Sequence, residues 1–163
     1  EHYVWNFAPS VSAMMSNPGF FSDKNVQRAI RKIASKREVT RRDLMYSIKS
    51  GEVGAVGTST ANYNLISSTN DVSGYASALT RMENAAASNG FDDISVALYG
   101  SVTSGDRAGT VMASVQAPTP ARLGAFFDQR DSAWMSEAMS EFNSIRTPVI
   151  DFMMTCTVLS VNN

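Results

Sequence analysis

The sequence is poor in the residues that build catalytic and metal sites. It contains one cysteine, Cys156, and one histidine, His2, among 163 residues. A single cysteine excludes an internal disulfide and every metal site built from several cysteines. A histidine at position 2 lies outside the predicted strands, so no general base or heme ligand of the usual kind is expected. No apolar run reaches the ~18 residues of a membrane helix, so the protein is expected to be soluble, or peripheral at most.

Other catalytic signatures are absent as well. The glycine-rich "GEVGAVGTST" lacks the GK[ST] ending of a phosphate-binding loop, and no G-x-S-x-G elbow occurs. The carboxylate pairs Asp92/Asp93 and Asp128/Asp131 are interpreted as solvated surface charges. We therefore expect no cofactor and no bound metal, and an enzyme is the less favoured interpretation.

Lysine is also missing from most of the chain, since none follows Lys49. Residues 24–49 carry nine basic and two acidic side chains, a net charge of +7, whereas the rest carries five arginines and thirteen carboxylates, a net charge of −8. Such asymmetry indicates two parts with different surroundings. We place the boundary in the glycine-rich stretch 51–57, which predicts an N-terminal part over 1–52 and a domain over 53–163.

The N-terminal part is predicted to form an extended aromatic arm followed by two short basic helices. Val26, Ile30 and Ile33 share one face at helical spacing in "DKNVQRAIRKIAS". A second helix is predicted from a cap at Thr40 to a stop at Gly51.

The remaining chain predicts the order β-α-β-β-α-β. Strands are expected over 55–66, 94–102, 108–117 and 148–161, and helices over 71–88 and 119–145, the latter broken near Asp131. This order is the ferredoxin-like arrangement, an α+β fold with an antiparallel sheet, here preceded by a helical extension.

Residues 54–163 resemble the dimeric α/β-barrel branch of the ferredoxin-like superfamily. The resemblance rests on a strand, the helix "APTPARLGAFFDQRDSAWMSEA" with Trp134, and a long final strand. It implies a homodimer or a barrel-like contact, with functions that vary widely between families. A ligand inside such a barrel would be lined by Asn62, Tyr63, Tyr99 and Trp134, although ordinary strand aromatics and a core tryptophan are the favoured interpretation.

The basic segment, which includes "KREVTRRD" at 36–43, has three readings: docking onto an acidic protein or an anionic membrane face, pairing with the chain's own acidic domain, or binding nucleic acid. Docking is preferred, which makes the protein a non-catalytic assembly or scaffold subunit. A cofactor-independent small-molecule binder or oxygenase-type barrel enzyme is the alternative, and a DNA-binding regulator with an effector domain is the second. The residues assigned to partner contacts are Arg28, Arg31, Arg37, Arg41, Arg42, Trp5, Phe7, Phe20 and Phe21.

The first residue bears on the cellular compartment. A chain that starts at Glu1 without methionine fits a cleaved targeting peptide, and with it an organelle or an exported compartment.

Overall fold

The computed structural model describes residues 5, 8, 10–16, 24–36, 38, 43–103 and 105–159. Their strands are β1 (Leu44–Lys49), β2 (Ser59–Ser68), β3 (Ser95–Thr103), β4 (Val111–Ala117) and β5 (Thr147–Thr157). Their α-helices are α1 (Val11–Ser16), α2 (Lys24–Ile33), α3 (Val72–Ser88), α4 (Pro120–Phe127) and α5 (Ala133–Ile145). Short 3-10 turns follow α2, β3 and α4 at Ala34–Lys36, Gly105–Arg107 and Asp128–Asp131.

One five-stranded sheet organises the described chain, in the order β1-β3-β4-β2-β5. Every neighbouring pair is antiparallel. β2 and β3 therefore run parallel with β4 between them, and β4 and β5 run parallel with β2 between them. The fold is thus α+β with an antiparallel sheet, as predicted.

The helices begin where the sequence supplies caps. The Asp71 side chain accepts a hydrogen bond from the backbone N–H of Gly74 at the start of α3, over 2.8 Å. Thr119 accepts from Arg122 N–H at the start of α4, and Pro120 occupies its first turn. Such caps satisfy backbone donors that the first helical turn leaves without partners. The predicted break near Asp131 is confirmed, since a 3-10 turn separates α4 from α5.

The hydrophobic core lies between α3, α4, α5 and one face of the sheet, which we call the covered face. Tyr75, Leu79, Phe126 and Phe142 are 0–1% exposed there. The strands contribute Val96, Leu98, Val111, Ala113 and Val115 to the same cluster. Burial of these apolar side chains is the main stabilising term of the domain.

Two expectations for the N-terminal part are wrong. The second basic helix is absent over its described portion, because Leu44–Lys49 form β1 and pair with β3. The apolar residues at 44, 46 and 48 fit a strand period as well as a helix period, and the free edge of β3 supplies backbone partners. The segment "FAPSVSAMMSNPGFF" (7–21), interpreted as an extended arm, is helical at Val11–Ser16 instead, where Ser10 Oγ accepts a hydrogen bond from Ala13 N–H at the start of α1.

The sheet therefore begins at Leu44, ahead of the boundary predicted at 52/53. The predicted cap at Thr40 lies outside the described residues.

Candidate functional site

The candidate site is the other face of the sheet, which we call the second face. Strand alternation and cross-strand pairing determine which side chains lie next to one another on this face. Asn64 is paired with Ser114 on β4 and Phe152 on β5, and Asn62 is paired with Gln116 and Met154. The other members are Thr60, Ile66, Ser95, Ala97, Tyr99, Met112, Ile150 and Cys156. The second face thus carries polar side chains at the centre of the sheet.

Asn64 is the least satisfied residue of the second face. It is 1% exposed, and among the described residues neither Oδ1 nor Nδ2 of its side chain has a hydrogen-bond partner. A buried polar group without a partner costs about 1–3 kcal/mol of stability. Such a group is expected where a function needs it or where a water or ligand completes it.

Asn62, two residues earlier, is satisfied within its own strand. It is 2% exposed, and Nδ2 donates to the carbonyl oxygen and the hydroxyl of Thr60 over 3.1 and 3.0 Å. Asn64, rather than Asn62, is therefore the side chain whose amide can still form hydrogen bonds.

The aromatic end of the second face is met by the N-terminal segment. The Trp5 ring packs edge-on against Tyr99, with centroids 6.0 Å apart. Burial raises the pKa of the Tyr99 hydroxyl, and the negative charge of a Cys156 thiolate raises it further. Burial also raises the pKa of Cys156, which favours the neutral thiol. Trp5 therefore contacts the chain's own sheet.

The four predicted lining residues do not meet at one site. Asn62 and Tyr99 lie on the second face, but Tyr63 points to the covered face and packs against Phe127, with centroids 5.1 Å apart. Trp134 is half-buried against the core, with its ring tilted by 52° relative to that of Phe126 and the centroids 6.0 Å apart. Neighbouring strand residues point to opposite faces, so Asn62 and Tyr63 could not line one site together.

Asn64 and Ser114 belong to the second face and were not predicted. The signal for Asn64 was available in "ANYNLI", where Asn62 and Asn64 are two residues apart and must share a face. No comparable pattern marks Ser114, because its place opposite Asn64 depends on the strand order and register.

The basic helix α2 exposes its cations. Lys24, Arg28, Arg31 and Lys32 are all exposed, and Lys36 is exposed in the turn that follows. Among the residues that the structure describes, none of these side chains forms an ion pair. The other predicted partner contacts, Arg37, Arg41, Arg42, Phe7, Phe20 and Phe21, lie outside the described residues.

Carboxylates of the domain have partners of their own. Glu83 accepts from Lys49 Nζ over 2.6 Å, and Glu141 is bridged by Arg81. The hydrogen bond from Arg122 lowers the pKa of Asp93. These three carboxylates are therefore paired without the basic helix α2.

A cleft of about 310 Å³ separates α4 from strands β2 and β5. Leu123 and Gly124 line it from the helix, and Met153 and Thr155 line it from β5. Beyond this cleft the helices leave the covered face of β5 open, since Met153 is 66% exposed.

Metal-binding clusters and membrane-spanning helices are both absent from the described ranges. No group of three or more His, Cys, Asp or Glu side chains is placed to hold a metal ion. No described helix combines the length and the apolar character that a membrane crossing requires.

Comparisons with known proteins add no family. No family model matches the chain, and no curated protein matches it.

Proposed function

We propose that the protein is a non-catalytic assembly subunit whose basic N-terminal segment docks onto an acidic partner. The observation that carries this proposal is the exposure of the cations of α2 without ion-pair partners among the described residues. Clustered cations on one exposed segment attract acidic surfaces and steer their association.

The alternative in which α2 neutralises the chain's own domain has less support. Asp93 and Glu141 pair with Arg122 and Arg81, which lie outside the basic segment, and the basic segment contributes only Lys49, which pairs with Glu83, to the described ion pairs. No described ion pair links α2 to the domain.

The DNA-binding alternative is weakened by β1. A helix-turn-helix needs a recognition helix after the first one. The segment predicted to supply that helix instead forms the edge strand Leu44–Lys49 over its described portion.

Charge reversal on α2 tests the docking function. Wild-type protein is expected to bind poly-L-glutamate with an affinity that falls as salt rises. The double variant Arg28→Glu/Arg31→Glu is expected to lose most of that affinity. Arg107→Glu/Arg130→Glu, outside the basic segment, is the matched control and is expected to bind like the wild type. Equal binding by all three proteins would contradict the proposal.

A duplex DNA probe of similar charge separates the two polyanion classes. Under the docking proposal α2 contacts carboxylates, so the duplex, despite its dense charge of one per ~1.7 Å of axis, is expected to bind no more tightly than poly-L-glutamate. Tighter binding to DNA would instead favour the regulator.

We infer further that β2 to β5, with α3 and the α4–α5 pair, form a ferredoxin-like unit to which β1 is added. Two features support this: the order β-α-β-β-α-β along the chain, and the strand inserted between each parallel pair. A dimeric barrel, as the resemblance implies, would bring two second faces together, but this closure has less support because Asn62, Asn64 and Ser114 are already only 1–2% exposed in the single chain.

A second candidate function, binding of a small polar molecule at the second face, is favoured by Asn64. A ligand with adjacent donor and acceptor atoms, such as an amide or a carboxylic acid, would satisfy both atoms of the side-chain amide. Because Asn64 is only 1% exposed, such a ligand would be buried at this face.

Native mass spectrometry of gently purified protein tests this candidate. The wild type is expected to carry a small-molecule adduct that Asn64→Val lacks. Asn143→Val, a substitution at an exposed asparagine of α5, is the matched control and should keep the adduct. A wild-type mass equal to that of the bare chain would contradict binding at this face.

A further inference from the structure

A polar cavity of about 510 Å³ lies where β2 ends and β5 begins. Ser68, Thr69 and Asn70 line it between β2 and α3, and the end of α5 lines it together with Arg146 and Thr147. It shares no lining residue with the cleft beside α4. Its volume is within the range of about 300–1,000 Å³ that is typical of small-molecule sites.

Arg146 is the one charged residue among the described residues that line this cavity. Its guanidinium lies over the ring of Phe142, 4.5 Å from the centroid, and over the ring of Tyr75 at 5.4 Å. Nη1 donates a hydrogen bond to the hydroxyl of Tyr75 over 2.6 Å. These contacts hold the guanidinium in place before any ligand binds, which lowers the entropy that binding would cost.

The charge of Arg146 has no counterion in the described part of the chain. No carboxylate forms an ion pair with it. The nearby carboxylates have other partners, since Asp71 caps α3 and Asp151 accepts from the hydroxyl of Tyr63. Nε is buried without a partner, and Nη2, which is not buried, donates to no described residue either. A partly buried cation is stabilised by an opposite charge, so this guanidinium is prepared for an anion.

The end of α5 does not supply the missing charge. A helix C-terminus carries only about half an elementary negative charge, on its last carbonyl groups. Two of these carbonyls already accept hydrogen bonds, Phe142 from the backbone N–H of Arg146 over 3.1 Å and Ile145 from the hydroxyl of Thr69 over 2.6 Å. Much of the guanidinium charge therefore stays uncompensated.

We propose that this cavity binds a small hydroxylated carboxylic acid whose carboxylate accepts a hydrogen bond from Nη2 of Arg146. A single cation matches a single carboxylate, whereas a phosphate, with nearly two charges, is better matched by several cations or by a row of backbone N–H donors. The exposed side chains of Ser68, Asn70 and Thr147 form no hydrogen bond with described residues, and can bond to the hydroxyl groups of the ligand. The proposal uses neither α2 nor Asn64, so it does not depend on the functions proposed above.

Titration followed by nuclear magnetic resonance tests whether the cavity recognises the charge. Glycolate is the probe, and glycolamide is its neutral counterpart of nearly equal size, with ionic strength held constant. The Nε–H signal of Arg146 and the backbone amide signals of residues 68–70 and 144–147 are expected to shift to saturation with glycolate alone. Glycolate shifts that do not saturate, or equal shifts with glycolamide, would overturn the proposal.

Removal of the charge tests the role of Arg146. Arg146→Met keeps an unbranched side chain over the two rings and is expected to weaken glycolate binding about tenfold or more. Arg130→Met, at an exposed arginine outside the cavity, is the matched control and should bind like the wild type. Unchanged binding in Arg146→Met contradicts the proposal. If circular dichroism shows that this variant does not fold, Arg146→Gln replaces it, and the comparison of glycolate with glycolamide on the wild type is decisive without either variant.

Two further probes test the chemical class of the ligand. Acetate, which lacks the hydroxyl group, is expected to bind more weakly than glycolate, and equal affinities would contradict a hydroxylated ligand. Inorganic phosphate is also expected to bind more weakly, because the cavity has one cation. Tighter binding of phosphate at the same signals would overturn the assignment to a carboxylic acid.

Discussion

The hydroxyl of Tyr63 donates a hydrogen bond to Oδ2 of Asp151 over 2.9 Å and so links β2 to the edge strand β5. Burial raises the pKa of Tyr63 from its ordinary value of 10.0 to about 12, and the hydrogen bond and charge of Asp151 raise it as well. Because the folded state holds this proton more tightly, the protonated Tyr63 hydroxyl contributes to the free energy of unfolding, and this contribution is fully present below pH 10.0. It is lost as the pH rises to about 12.

Replacing Asp151 by Asn is expected to lower the pKa of Tyr63 without returning it to 10.0, because burial, the largest cause, remains. The absorbance of tyrosinate measures the titration, with Tyr63→Phe subtracted to isolate this residue. The unfolding free energy of wild-type protein should also fall more steeply above pH 10.0 than that of Tyr63→Phe. An unchanged titration in Asp151→Asn would show that the carboxylate does not act on Tyr63.

The elements of the domain could be predicted because local signals and tertiary packing agree there. Asp71, Thr119 and Ser132 each cap a helix at the position where apolar periodicity begins. The buried face of α3, which includes Tyr75, Leu79 and Met82, follows the 3.6-residue period.

β1 could not be predicted from its own residues, because its strand conformation is stabilised by pairing with β3. Tyr46 lies opposite Gly100, and Lys49 donates to the carbonyl of Val96, about 50 residues away in sequence. Such long-range contacts override weak local helix propensity.

The candidate site was predicted only in part for a related reason. Asn62 and Tyr99 were selected by residue type, but which side chains share a face follows from alternation and strand order together. Asn64 could have been included by its spacing from Asn62. Ser114 required the β2–β4 register.

Gly100 accommodates the Tyr46 ring of the neighbouring strand. A Cβ at position 100 would lie 2.4 Å from ring atoms of Tyr46. Gly100→Ala is therefore expected to displace the ring and lower the free energy of unfolding by about 1 kcal/mol. In a Tyr46→Ala background the same change should cost much less, because the obstructing ring is gone. Urea unfolding of the four proteins gives the coupling; equal costs in both backgrounds would contradict the contact.

Asn64 is expected to reduce stability while its amide has no partner. Asn64→Val is expected to raise the free energy of unfolding by about 1–3 kcal/mol, because a buried donor and acceptor are removed together. Asn62→Val should not stabilise the protein, since it removes the bonds to Thr60. Urea unfolding distinguishes the two. A loss of stability in Asn64→Val would mean that a water or a ligand satisfies this amide.

The ion pair between Lys49 and Glu83 anchors the added strand β1 to α3. Nζ of Lys49 lies 2.6 Å from Glu83, their side chains are only 15% and 27% exposed, and Glu83 also accepts from Val96 N–H. Glu83→Ala leaves the partly buried ammonium of Lys49 and the backbone N–H of Val96 without this acceptor. It is expected to lower the free energy of unfolding by about 2 kcal/mol. The exposed pair of Arg81 and Glu141 provides the control, and Arg81→Ala should change stability far less.

Thermal and urea unfolding measure both variants, and hydrogen exchange should show faster opening of β1 in Glu83→Ala alone. Similar losses in the two variants would mean that burial adds nothing to the Lys49–Glu83 pair.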